Sequence, residues 1–349
     1  MSKNIKLESI FIGLFLVVAL GLFAWFNMSK PSILILHSYD KSYAWTRDVN
    51  VGLERVLNNN YRYQVRWYYM DTKRRPYPEY RSSAGIAARR FIEQMQPDVV
   101  IAIDDDAQQY VSRHFINDPK MKIVFAGINN SAADYGLDKA NNATGIMERI
   151  PLPAIRETFL IADNLKSLGR PVRLALLADK SESVSGDIKQ LQGFNWDPVQ
   201  LVSINRAASW PDWQAKVRDL AGKADVIMVT GYRRLARSET DKSLVPPHEV
   251  VHWTEMHSSV PVISGNGFFT EEGGMLAIGT SPYEQGETAA RMALDIVLRG
   301  KHPKEFPIVS SSQFIVTMNG ARMQVRGFKL PKVYEAAART GNKYFDDSH

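Results

Sequence analysis

The most pointed chemical signal in the chain is His248-Glu249-Val250-Val251-His252. On a helix, histidines at i and i+4 share a face and can hold Zn²⁺, and the glutamate between them can polarise a water for peptide hydrolysis. Three features weigh against that use here. Pro246 and Pro247 stand directly before His248 and put it in the first helical turn, where a zinc-peptidase helix runs on through. Thr254 falls where an apolar residue would suit a buried helix, and His257 has the wrong spacing for a third ligand. Only Glu271, Glu272, Glu284 and Glu287 are left to complete a metal site. The expectation is that His248 and His252 are structural or surface side chains, and that the chain is not an enzyme and carries no metal or cofactor. No Gly-x-Ser-x-Gly elbow or phosphate-cradling Gly-Lys-Ser/Thr loop occurs, and with no cysteine there is no thiol nucleophile.

A second set of residues shares a position rather than a motif. Ser38, Tyr39, Asp40, Tyr43 and Trp45 follow a first strand-like run. Asp104, Asp105 and Asp106 follow a third, and Asn129 and Asn130 a fourth. Further along come Asp179, Ser181, Ser183 and Ser185, then Gly231 and Tyr232, then Asn266 and Phe268. Aromatic faces, hydroxyls, amides and a few carboxylates suit an amphipathic small molecule, and aromatics beside carboxylates suit an amine or amino acid. From this set Ser38, Tyr39, Trp45, Asp105, Asn129, Asn130, Tyr232 and Asn266 are expected to contact a ligand. The tight basic cluster Lys73-Arg74-Arg75 reads as a solvated loop.

The elements that must position these residues follow an α/β rhythm. Ile33–His37, Tyr63–Met70, Val99–Ile103 and Ile123–Ala126 read as strands, with helical spacing over Arg47–Leu57 and Tyr80–Met95. The rhythm restarts after Pro171, with strands at Val172–Ala178, Val199–Ile204, Val226–Thr230 and Val262–Ser264. Helices are expected between them, then at Tyr283–Leu298, with a further strand at Phe314–Met318. Such alternation predicts two doubly wound parallel-sheet lobes joined by a hinge, with chain crossings near 145–149 and 274–279. Residues 30–148 and 280–335 are expected to form the first lobe, 149–279 the second, and 336–349 a tail. Ligands of open parallel sheets bind beyond the carboxyl ends of the strands, where the second set of residues falls.

An uncharged apolar stretch, Ile10–Phe26, precedes all this, with Lys3 and Lys6 before it. Basic flanks stay cytoplasmic. Residues 1–29 are therefore expected to be an uncleaved signal anchor in a bacterial inner membrane, with the remainder in the periplasm. Net charge is +6 but dispersed, so a nucleic-acid partner is not expected.

The runs ILILHSYDKSYAWTRDVNVGL, YYMDTKRRPYPEY, PDVVIAIDDDA, KIVFAGINN and TGIMERIP follow in order at spacings that resemble the ABC transporter substrate-binding protein family. That family is similar to type I periplasmic binding proteins and also supplies extracytoplasmic sensor domains to histidine kinases and diguanylate cyclases. The resemblance covers roughly 32–334. It implies a two-lobed, hinge-closing binder of small solutes without catalytic chemistry, with Ser38, Tyr39, Trp45, Asp105 and Asn129 at the ligand edge of the first lobe. It implies an ABC permease, or a sensor kinase or cyclase, as partner. The sequence departs from the family at Arg74-Arg75-Pro76-Tyr77, which is more basic and aromatic, and at 179–186, so no ligand carries over.

Overall fold

Nearly continuous runs of Val, Ile, Leu and Ala become strands buried on both faces, as a parallel sheet covered by helices requires. The computed structural model describes residues 7–57 and 61–346; Lys3 and Lys6 lie outside the described residues. The leader forms helix α1 (Leu7–Met28), long and apolar enough over Ser9–Asn27 to cross a membrane.

The first lobe is built from β1 (Ser32–His37), α2 (Ala44–Val56), β2 (Gln64–Tyr69), α3 (Pro78–Met95), β3 (Val99–Ile103), α4 (Asp105–Tyr110), β4 (Ile123–Ile128) and β5 (Ala143–Met147). The chain then enters the second lobe. Its elements are α5 (Leu152–Ile161), α6 (Asp163–Lys166), β6 (Arg173–Asp179), α7 (Glu182–Gly193), β7 (Gln200–Ala207), α8 (Trp210–Asp219), β8 (Val226–Val229), α9 (Pro247–His257), β9 (Val262–Ser264), α10 (Phe268–Glu271) and β10 (Leu276–Thr280). It returns to the first lobe for α11 (Pro282–Arg299) and β11 (Val309–Ser310). It ends in the second with β12 (Phe314–Asn319), α12 (Gly320–Val325), α13 (Lys332–Thr340) and β13 (Tyr344–Phe345).

Among the described residues the first sheet is six-stranded and all parallel, in the order β11-β5-β4-β3-β1-β2. The second is seven-stranded, β13-β12-β10-β9-β8-β6-β7, and only the β10/β12 pair is antiparallel. Each sheet has apolar clusters on its two faces. Helix α11 is set by local chemistry at both ends: Ser281 Oγ accepts from Glu284 N at 3.2 Å, Pro282 occupies the first turn, and Gly300 ends the helix at φ 68°. It lies so close on α2 that a Cβ at Gly52 would collide with the Tyr283 carbonyl, and one at Gly286 with that of Val49.

Two expected domain limits are corrected. The segment after Ser311 does not stay in the first lobe: β12 pairs with β10 (Leu276↔Met318, Thr280↔Phe314). Val316, Met318, Met323, Phe328 and Ala338 are buried in the second lobe's core. The first-lobe share of the C-terminal half therefore runs from about 282 to 311, not 280–335. Nor is 336–346 a tail, since α13 and β13 pack on β12; residues 347–349 lie outside the described residues. Three crossings result, at 148–151, 281 and 311–313, one more than expected. They meet where the Arg149 carbonyl accepts from Thr280 Oγ1 at 2.8 Å and from Ser311 Oγ at 3.2 Å. The Glu284 carboxylate holds the third crossing through Ser312 N and Gln313 N.

Candidate ligand site between the lobes

The carboxyl ends of both sheets face each other across a cleft of about 630 Å³, counting the part open to solvent. From the first lobe come Tyr39 and Tyr43 after β1, Trp45 in the first turn of α2, Lys73 after β2, Asp104 after β3, Asn129 after β4 and Glu148 in the first crossing. The second lobe supplies Asp179 at the end of β6, Asp187 one turn into α7, Thr230–Arg234 after β8, and Asn266 and Phe268 after β9.

Asp104 is the most constrained of these. Its backbone has φ 69°, a region that costs an L-residue energy and is kept where the surroundings impose it. Its Oδ1 accepts from Trp45 Nε1 at 2.8 Å, which also fixes the indole as one wall. Its Oδ2 is buried with no hydrogen-bond partner, a costly condition for a carboxylate oxygen that an ammonium donor would relieve. Thr230 Oγ1, also in the cleft wall, is likewise unpaired. Among the described residues the Glu148 and Asp187 carboxylates form no hydrogen bond or ion pair, whereas Asp179 is turned to the backbone amides of Ser181 and Arg234.

Burial and the neighbouring charge of Asp105 push the Asp104 carboxyl well above the usual carboxylate range. Burial and the Asp187 charge do the same to Glu148. Burial, helped by Asp105 and Asp179, raises Asp187 to about 7. Against these stands Lys73, whose ammonium lies 4.9 Å from the Tyr39 ring and 5.6 Å from that of Tyr43. Arg233 stacks on Phe268 at 4.1 Å and reaches Tyr43 at 5.0 Å, but its charge is matched by Glu272, which also accepts from the Tyr232 hydroxyl. With Lys73 and Arg234 set against Asp104, Glu148, Asp179 and Asp187, the cleft joins an aromatic lining to a majority of acidic groups, the chemistry that suits an organic cation.

Of the residues expected to touch a ligand, Tyr39, Trp45, Asn129, Tyr232 and Asn266 line this cleft. Ser38 is not in its wall, and Asp105 and Asn130 line a smaller pocket that shares Tyr39 and Arg234 with it. Ser38 Oγ donates to the Ile103 carbonyl at 2.7 Å and accepts from Ala107 N at 2.8 Å, tying β1 to the start of α4. Asp105 accepts from Asn129 N, Asn130 N and the Tyr135 hydroxyl, and so shapes the loop after β4. Asn130 donates to the same tyrosine at 3.0 Å. Lys73 is a correction: Arg74 and Arg75 are solvated as expected, but Lys73 turns into the cleft. Glu148 and Asp187 carried no signal in the loop pattern, because one sits in a crossing and the other inside a helix.

The His-Glu-x-x-His segment opens α9, on the outer side of the second lobe and away from the cleft. Glu249 forms a two-pronged pair with Arg237 at 3.1 and 2.9 Å. Arg322 Nη2 lies 3.2 Å from His252 Nδ1. A guanidinium only donates, so this contact engages Nδ1 as an acceptor and ties the ring to α12. Among the described residues no three His, Asp or Glu side chains stand together as a metal site.

The two parallel-sheet lobes and the cleft between them form the fold of the type I periplasmic binding proteins. Residues 199–339 match the family model described as ABC transporter substrate binding protein, so the resemblance read mainly from residues 33–151 is met independently in the C-terminal half of the chain. No curated protein matches in sequence. Among solved structures, a conserved domain protein from Vibrio cholerae aligns with TM-score 0.63 at 16% identity, covering 88% of this chain and 98% of its own. The ABC domain from Streptococcus pneumoniae in complex with L-Trp aligns with TM-score 0.63 at 15% identity, over 88% and 98%. A substrate-binding protein with adhesive properties from Clostridium difficile, in its ligand-free, open form, gives TM-score 0.60 at 15% identity, over 86% and 96%.

Proposed function

We propose that the protein is a membrane-anchored, periplasm-facing solute-binding protein that captures an amine or amino acid by its ammonium group. The observation that carries the ligand class is Asp104, a residue of the cleft wall whose buried Oδ2 has no partner, beside the free carboxylates of Glu148 and Asp187. The ammonium sits among these three groups, and Tyr39, Tyr43, Trp45, Tyr232 and Phe268 enclose the organic part. The L-Trp complex of the Streptococcus pneumoniae relative supports a ligand of this size and kind. Ligand binding closes the lobes about the three crossings, and the closed surface is what an ABC permease or a sensor kinase or cyclase reads. The apolar helix α1 supports anchoring to the bacterial inner membrane.

Calorimetric titration with primary amines, amino acids and their N-acetyl derivatives tests this reading. Binding of at least one free amine, and loss of binding when its nitrogen is acetylated, is expected. Preference for an uncharged or anionic ligand would overturn it.

A further inference from the structure

We infer that the base of the first lobe is a docking surface for anionic phospholipid headgroups, so that the anchor does not merely tether the protein but holds it upright on the bilayer. The inference rests on α1 spanning the membrane. Three residues, Ser29–Pro31, separate the end of α1 from β1, a reach of about 10 Å at full extension. The junction is also pinned: Gln64 Nε2, at the start of β2, donates to the Asn27 carbonyl at 3.0 Å. Trp25 and Phe26, exposed in the last turns of α1, are the side chains that settle at a headgroup boundary.

Because the first sheet is all parallel, every loop leading into its strands lies at the end where α1 arrives. Those loops present Lys30, Arg62, Lys120, Lys122, Lys139 and Lys304. Lys120, Lys122, Lys139 and Lys304 form no ion pair among the described residues. Four carboxylates, Asp98, Asp118, Asp138 and Glu305, share the face, and three of them are turned to the backbone: Asp98 accepts from Ser32 N at 2.7 Å, Asp118 from Lys120 N at 2.9 Å, and Glu305 from His302 N. The exposed ring of Tyr61 stands on the same edge. The junction brings this net basic face to about the screening length of a charged surface, about 8 Å at physiological salt, the range over which juxtamembrane lysines are attracted to anionic lipid. The ligand cleft, at the opposite end of the strands, then points away from the bilayer, and closure becomes a movement of the second lobe over a fixed first lobe.

The chain has no cysteine, so a single introduced thiol carries a label at one site. The full-length protein is reconstituted in vesicles of phosphatidylcholine with or without phosphatidylglycerol, doped with a nitroxide-headgroup lipid. A fluorophore is placed at Asn141→Cys, on the base, or at Lys242→Cys, on an exposed loop of the second lobe. The expected result is several-fold stronger quenching of the base label on the anionic vesicles. That excess should vanish in K120E/K122E/K139E and at about 1 M salt, where the screening length is about 3 Å. Equal quenching of the two labels, or quenching of the base label that ignores phosphatidylglycerol, overturns the docking surface while leaving the anchor in place. Failure of the protein to float with either vesicle after an alkaline wash overturns the anchor itself and the orientation with it.

Discussion

At the scale of single residues, the cleft is governed by carboxylates kept short of partners. Asp104→Asn keeps the shape and the Trp45 contact but removes the charge, so affinity for an ammonium ligand should fall about 10- to 100-fold, the cost of a lost charge-assisted hydrogen bond. The same variant should melt higher than the parent at neutral pH, since folding no longer has to desolvate or neutralise a carboxylate whose ionisation burial opposes. Asp187 gives a pH dependence of defined sign. Unfolded, it ionises near pH 4; folded, near 7. Between those values the folded protein holds a proton that the unfolded chain has released, so its contribution to stability declines from about pH 4 to about pH 7 and is level above. A cation needs the ionised form, so affinity should drop below pH 7 by up to about tenfold per unit, and in Asp187→Asn that step should be gone. Titrations at several pH values check both, and an unchanged step in the variant refutes the role of Asp187. Ser38→Ala should cost about 1–3 kcal/mol of stability and leave affinity unaltered. Sequence position alone could not separate these residues. Asp104, Asp105 and Asp106 are adjacent, yet the positive φ at Asp104 sends one carboxylate into the cleft, one to the loop after β4 and one to Arg81.

At the scale of elements, the strands were legible because parallel strands are apolar on both faces. Val99–Ile103 and Val262–Ser264 fall where the sequence pattern puts them. What was not legible was where β12 goes. Its run is as apolar as its neighbours, and only the antiparallel pairing with β10 assigns it to the second lobe; antiparallel return leaves no separate mark in a sequence of six residues. The close approach of α2 and α11 also depends on tertiary packing. Gly286→Val should overpack that contact and lower stability by about 1–3 kcal/mol, seen as a lower urea midpoint with unchanged slope. Full stability in the variant would show that the helices can separate at no cost.

At the scale of the molecule, the lobes already touch across the cleft. Lys343 in the second lobe donates to Asp48 of α2 at 2.8 Å and to Glu271 of its own lobe at 2.8 Å, and a Cβ on Gly186 would press on the Asn129 carbonyl at 2.7 Å. Lys343→Met should therefore shift the ligand-free protein toward an open form, read as a larger radius of gyration that ligand reverses. The central claim is more direct: the cleft holds an organic cation through Asp104. Native mass spectrometry of the gently purified protein, with no metal or amine added, tests it in one spectrum. The account predicts a co-purified amine or amino acid, released on denaturation and missing from Asp104→Asn. An adduct held equally by the variant, or a near-stoichiometric zinc adduct lost in His248→Ala, would contradict it.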